Sequence, residues 1–225
     1  MKITWLGQAG LLFEHQGCRV MIDPYLSNAC GEKNPSSQRR IPVDERMLTI
    51  RPDVIVLTHE HLDHTDPQTL SHFLTPNAAV TVLAAPNAWE VVRGFGGPSN
   101  YVRFSAGTEW THGPFRFCAV KAEHSDPTAI GVLIEAGGKR YYVTGDTLYH
   151  KAIFADLPDH IDTVFLPING RGNNMNATDA VRFLERTGAR WGVPLHYGMF
   201  DEISPECFQT EKRRILTVYE PFEDK

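Results

Sequence analysis

A chain of 225 residues with a net charge of −5 gives no support to general nucleic-acid binding or to attraction toward an anionic membrane. With 42% hydrophobic residues it can bury a sizeable core, as one domain or two small ones by size alone. Its four cysteines, Cys18, Cys30, Cys118 and Cys207, show no C-x-x-C spacing and read as buried or incidental thiols of a reducing compartment rather than a disulfide frame.

The first residues alternate as short strands near 2–6, 10–15 and 18–23. The apolar start with Lys2 raises the question of an export signal. Gly7-Gln8-Ala9-Gly10 interrupts it and no small-residue cleavage site follows, so the stretch reads as two strands and a turn. Residues 27–46 are polar, rich in Gly, Pro, Ser and Asn, and without period. That is long for a loop in a compact domain and suits a lid or binding loop, or else a disordered surface excursion. Asp53-Val54-Ile55-Val56-Leu57-Thr58 has the pattern of a buried strand. Asp66 as N-cap and Pro67 at the first helical position then start a helix over 66–74. Further helices are predicted over 86–94, 177–187 and 205–217. Strands are predicted over 79–84, 115–121, 129–136, 140–144, 162–166 and 191–195. No stretch approaches the ~20 apolar residues of a membrane span, and the expected location is the cytoplasm.

Between that strand and helix lies His59-Glu60-His61-Leu62-Asp63-His64, an H-x-H-x-D-H motif. Imidazole nitrogen and carboxylate oxygen are the ligands of zinc, manganese or iron in hydrolytic sites. The plain alternative is a polar loop that happens to be His-rich. Its placement at the carboxyl end of a strand is where open α/β sheets put their sites. His59 and His61, two apart, point the same way in extended chain. Three more candidates follow at strand ends: His124, Asp146 in Gly145-Asp146-Thr147, and His196 after Trp191-Gly192-Val193-Pro194-Leu195. Each alone would be an ordinary capping or core residue; in order after the first motif they become candidate ligands.

In that order the chain resembles the metallo-β-lactamase superfamily over almost its whole length. The resemblance implies an α/β (α+β) fold, a four-layer αββα sandwich, with 1–225 a single hydrolase domain whose site draws on both halves. It implies that His59, His61 and His124 hold one divalent ion, that Asp63, His64 and His196 hold another, and that Asp146 bridges them. The two ions would be zinc or manganese, with iron also compatible. Two cations ~3.5–4 Å apart can share a hydroxide, and a metal lowers the pKa of bound water from 15.7 toward ~7. Asp63 would be the catalytic residue, orienting that hydroxide and passing its proton to the leaving oxygen. Asp23, in Ile22-Asp23-Pro24, matches an early family aspartate near the metal loop and reads as orienting a ligand histidine through its other ring nitrogen; it reads equally as a turn-forming Asp before proline.

A narrower resemblance bears on substrate. Pro167-Ile168-Asn169-Gly170-Arg171, Asn174-Met175-Asn176 and Pro194-Leu195-His196-Tyr197-Gly198-Met199-Phe200 are similar to the L-ascorbate-6-phosphate lactonase branch. The present chain is shorter than that branch, which leaves the lactone class rather than its particular substrate. Glycines before a helix start, with the planar donor of Arg171, make a pocket for an anion, although a well-capped helix after a Gly/Asn loop accounts for the same residues. Asn169, Arg171 and Asn174 are the candidate substrate residues. The expectation is a metal-dependent hydrolase of a small anionic ester, preferably a sugar lactone, plain or phosphorylated. The alternatives are a phosphodiesterase on the same scaffold and a non-catalytic metal-binding protein. No nucleic-acid or membrane partner is expected, and a homo-oligomer stays open.

Overall fold

The structure, a computed structural model, describes residues 1–224. Strands β1 (Lys2–Gly7), β2 (Gly10–His15) and β3 (Cys18–Ile22) form an antiparallel meander. Strands β4 (Val54–Leu57), β5 (Thr81–Ala84) and β6 (Asn100–Arg103) then add in parallel, one beside the next. The second half repeats the scheme. Strands β7 (Glu109–His112), β8 (Phe115–Lys121), β9 (Ile130–Ala136) and β10 (Lys139–Val143) make an antiparallel meander. Strands β11 (Thr163–Pro167) and β12 (Trp191–Leu195) extend it in parallel. A last strand, β13 (Pro221–Glu223), returns to pair with β1 and closes the seven-stranded first sheet.

The helices are α1 (Ala29–Lys33), α2 (Glu45–Leu48), α3 (Pro67–Phe73), α4 (Pro86–Val92) and α5 (Ala177–Thr187). They flank the two mixed sheets, giving the expected α/β sandwich. Between the sheets, Phe13 of β2 meets Tyr141 and Phe165 of the second sheet edge-on, at centroid distances of 5.5 and 5.7 Å. Ridges of this kind join both sheets in one core. Strand β4 is buried at all four positions, Val54, Ile55, Val56 and Leu57, which is why it reads as a continuous apolar run rather than an alternation. The local signals hold at the helices: Asp66 accepts from the backbone N–H of Gln68 and Thr69, and Asn176 from that of Asp179. No helix among the described residues is long and apolar enough to cross a membrane.

The structure differs from the sequence expectation at the predicted 205–217 helix and at three added strands, and it gives the form of residues 27–46. The predicted helix over 205–217 is absent; only Pro205–Cys207 forms a single 3-10 turn. The chain instead runs beside β12, where Gly192 N–H donates to Lys212 O and Arg214 N–H to Gly192 O. Those bonds satisfy the exposed edge of β12, and the Arg213 guanidinium takes the carbonyls of Pro205, Glu206 and Phe208. Strands β6, β7 and β13 were not expected; each is three or four residues long, too short to set a period. Residues 27–46 carry α1, a 3-10 turn at Pro35–Ser37 and the start of α2. The Arg39 side chain pins them, donating to Ile41 O and Tyr25 O, each at 2.7 Å. This segment is a folded wall rather than a loose excursion.

Asp224, the last described residue, is also anchored. Asp224 is 8% exposed, accepts from Tyr141 Oη at 2.8 Å, and pairs with Lys139 and Arg214 at 3.0 and 3.1 Å. Burial opposes its charge, but the hydrogen bonds of Lys139 and Tyr141, the Lys139 charge and Arg214 hold its carboxyl below the usual range. A carboxyl depressed in the folded state stabilises above its unfolded pKa of about 3.9, and that stabilisation is lost as pH falls through the folded value. Asp224→Ala is expected to lower stability at pH 7 by about 1–3 kcal/mol. The difference from wild type should shrink as pH is lowered below about 4; urea unfolding at pH 7 and pH 3.5 checks both.

Candidate metal centre

Within the first sheet β1, β3 and β4 run the same way, and within the second β8, β10, β11 and β12 do, each parallel to the next directly or through one antiparallel neighbour. The contacts between His64 and Asp146 and between His61 and His124 show that the two sets end at the same edge of the sandwich. Their carboxyl ends deliver Gln8, Asp23, the 59–64 motif, His124, Asp146, the 169–171 loop and His196 to one place. Residues 137 positions apart in sequence, from His59 to His196, thereby become neighbours.

Two clusters share this edge. In the first, the donor atoms of His59, His61 and His124 lie within 4.8 Å of one another, with His61 Nδ1 3.2 Å from His124 Nε2. In the second, Asp63, His64 and His196 meet the same limit, and Asp146 joins the set through His59 and His64. His64 Nε2 lies 3.2 Å from Asp146 Oδ1 and 3.4 Å from His196 Nε2. His196 Nε2 lies 3.2 Å from both Asp63 Oδ2 and Asp146 Oδ2. Asp146 therefore stands between the clusters, where a bridging carboxylate belongs.

The outward ring nitrogens are held so that the inward ones stay available. Thr58 Oγ1 donates to Asp23 Oδ2 at 2.5 Å, so it accepts from His59 Nδ1 at 3.1 Å. His64 Nδ1 donates to Asp23 Oδ2 at 2.8 Å. His124 Nδ1 donates to Asn173 O at 3.4 Å. Asp23 is fully buried and leaves β3 with φ +44°, so it turns the chain and at the same time fixes the His64 ring through its outward nitrogen. Residues outside Gly rarely take that conformation, and at this edge Gln8, Asp23, Asn173 and His196 all do.

The donor set fits divalent cations. His59 Nε2 is buried and has no hydrogen-bond partner among the described residues, an arrangement that is costly unless something is bound there, and the buried Asp146 Oδ1 faces only the His64 ring, at 3.2 Å. Burial pushes His59 well below its ordinary pKa, leaving a neutral ring with a free lone pair. Burial opposes protonation of His64 and His196, yet the charges of Asp146 and Asp63 outweigh it; His64 rises well above its ordinary value and His196 to about 9. Burial likewise opposes ionisation of Asp63 and Asp146, and the same two histidines hold both carboxyls well below theirs. Protons thus balance the carboxylates, and cations can take over that balance with release of the protons.

Several supporting residues were not legible in sequence. Gln8 is 2% exposed; its Nε2 donates to Asp63 Oδ2 at 2.7 Å, and its carbonyl accepts from the His196 N–H at 3.0 Å and the Trp5 indole at 3.0 Å. The only sequence signal was a polar side chain inside a Gly-x-x-Gly turn between apolar strands. Asp126, 3% exposed, accepts from Glu60 N–H and from Asn87 Nδ2 and so ties the motif loop to the loop after His124.

A cavity of about 310 Å³ opens on the centre. Its lining includes His61, Asp63, Asp146 and His196, with Cys30, Ser36 and Ser37 from the 27–46 wall and Asn169, Arg171 and Phe200. Of the three candidate substrate residues, Arg171 is exposed in this cavity with no hydrogen bond or ion pair among the described residues. Asn174 lies elsewhere: it is 4% exposed, donates to Asp146 Oδ2 at 2.8 Å and accepts from Thr147 N–H at 3.0 Å. Its amide orients the Asp146 carboxylate and does not line the cavity. Asn169 touches both the cavity and His196. Tyr197 packs in the core against Trp5 at 5.0 Å, whereas Phe200 reaches the cavity.

The comparisons agree with this geometry. The family model described as a Beta-lactamase superfamily domain matches residues 18–197. A UPF0173 protein of Pyrococcus furiosus is 33% identical over 99% of this chain and 100% of its own length. A UPF0173 metal-dependent hydrolase of Carboxydothermus hydrogenoformans is 29% identical over 96% of this chain and 93% of its own. In fold, the chain is similar to Igni18, a metallo hydrolase from Ignicoccus hospitalis, with a TM-score of 0.78 at 19% identity over 100% of this chain and 99% of that one. The chain belongs to the metallo-β-lactamase superfamily and, within it, to the UPF0173 family of metal-dependent hydrolases.

Proposed function

We propose that this hydrolase opens a small anionic cyclic ester, with a sugar lactone, plain or phosphorylated, as the preferred substrate. The observation that carries the anionic class is Arg171, a guanidinium in the same cavity as Asp63 and unpaired among the described residues. Guanidinium forks match carboxylate and phosphate oxygens. The size class follows from the cavity: about 310 Å³ is at the lower end of small-molecule sites, and its 27–46 wall narrows access for a polymer. The lactone itself rests on the resemblance of the 167–176 and 194–200 stretches to the lactonase branch.

Two divalent cations, when bound, supply Lewis acidity and bring the pKa of water toward neutrality. The side chains do the rest. His59, His61 and His124 would hold one ion, Asp63, His64 and His196 the other, and Asp146 would bridge. Asp63 is 17% exposed at its side chain while His64 and Asp146 are at 0% and 5%, so among these it is the carboxylate that reaches a substrate. Ionised at neutral pH, it accepts a proton from the attacking water and returns it to the leaving oxygen. Gln8 fixes the rotation of that carboxylate through Oδ2. Arg171 binds the anionic group and orients the ester carbonyl toward the centre.

The test pairs a sugar lactone with its phosphorylated counterpart. Arg171→Ala is expected to raise KM about 10–100-fold for the charged substrate, the loss of one charge-assisted hydrogen bond, and only slightly for the neutral one. An equal change on both would make Arg171 structural and remove the anionic reading.

A further inference from the structure

The sequence made Asn169 a substrate residue, but its surroundings suggest another task. Its Nδ2 lies 3.0 Å from His196 Nδ1, and its Oδ1 is buried with no hydrogen-bond partner among the described residues. An imidazole that gives Nε2 to a cation carries its proton on Nδ1 and needs an acceptor there. As placed, two donors would face each other. The other amide near this ring, Gln8, cannot help: its Nε2 must face Asp63 Oδ2 at 2.7 Å, which fixes that amide as a donor. Oxygen and nitrogen of a carboxamide exchange on a half-turn and are assigned from their partners. Turning Asn169 puts Oδ1 on His196 Nδ1. It also puts the NH₂ where the unpartnered oxygen was, so the count of satisfied amide atoms is unchanged and His196 decides the orientation.

We infer that Asn169 is a positioning residue for the second metal site, accepting from His196 Nδ1–H through Oδ1 and so fixing the tautomer that presents Nε2. His196 sits at φ +58° on the turn after β12, held in the backbone by its N–H to Gln8 O. His64 has Asp23, His59 has Thr58 and His124 has Asn173 O beside their outward nitrogens; Asn169 gives His196 the same kind of partner. The inference rests on the two-ion reading of the centre.

Zinc titration against a competing chelator tests it, with thermal unfolding to confirm folding. Wild type is expected to take two ions. Asn169→Ala should lose about 10–100-fold in affinity for one ion, the usual effect of removing a ligand's outer partner, and keep the other. Asn169→Asp, which retains an acceptor and has no donor, should bind both ions at close to wild-type affinity. Binding of both ions by Asn169→Ala as in wild type, with only KM raised, would return Asn169 to the substrate and overturn the inference. So would Asn169→Asp behaving like Asn169→Ala. If Asn169→Ala does not fold, nitrogen NMR of zinc-loaded wild type decides: a proton on His196 Nδ1 supports the inference, and its absence refutes it. A wild type that takes a single ion would instead fail the two-ion reading, a separate result.

Discussion

Replacing Asp63 with Asn is expected to abolish hydrolysis while the chain stays folded. The two side chains have nearly the same shape, so the cavity and the contacts of the motif loop survive. What changes is charge and basicity. On the proposed function Asp63 is the ionised group that faces the substrate cavity, held ionised against the effect of burial by His64 and His196, and an amide cannot accept a proton from water or return it to a leaving oxygen. Loss of a positioned acid–base group costs typically 10²–10⁴-fold, and weaker binding of the second ion adds to that. Turnover at saturating metal, read beside the thermal unfolding midpoint, checks the claim. A wild-type rate would remove Asp63 from the mechanism, whereas an unfolded variant would show a structural role instead.

The second large effect is expected at Asp23. Its carboxylate accepts from Thr58 N–H at 2.8 Å, Thr58 Oγ1 at 2.5 Å and His64 Nδ1 at 2.8 Å, all in a fully buried setting. Asp23→Ala leaves all three donors without a partner. Removing one member of a buried, hydrogen-bonded charge pair costs about 3–5 kcal/mol, which for a domain of this size lowers Tm by about 10 °C. Because His64 and His59, the latter through Thr58, both depend on this carboxylate, affinity for both ions should also fall, by about 10–100-fold. Asp23→Asn keeps an acceptor and should lie between the two. An Asp23→Ala protein with wild-type Tm and metal affinity would mean that Asp23 serves only the turn.

How far the sequence carried this picture can be judged residue by residue. His59, His61, Asp63 and His64 were legible because their motif is local, and His124, Asp146 and His196 because each stands at a strand end in the order of the superfamily the chain resembles. The strands around them were legible because β4, β10 and β12 are buried on both faces and read as apolar runs. Asn169 and Asn174 were both noticed; Asn169 lines the cavity beside His196 while Asn174 turns to Asp146, a difference out of reach of a sequence, which shows that an amide is near a loop and not which atom it faces. Gln8 was invisible as a site residue: its role comes from β1 and β12 ending at the same edge, a contact across 188 residues. The 205–217 segment looked helical by composition, but the unsatisfied edge of β12 recruits it, a demand set wholly by tertiary structure. Likewise the polar 27–46 stretch is organised by Arg39 reaching the Tyr25 carbonyl, which no periodicity reveals.

The central claim is metal-dependent hydrolysis of a small cyclic ester at this centre. Proton release, followed at constant pH, tests it most directly. Metal-free, manganese-loaded and zinc-loaded protein would each be given sugar lactones with and without phosphate, and cyclic and linear phosphodiesters, with Asp63→Asn as the blank. The expected result is lactone opening that requires added metal and disappears in Asp63→Asn. Lactone opening by the metal-free protein, or turnover of phosphodiesters with every lactone untouched, would contradict it.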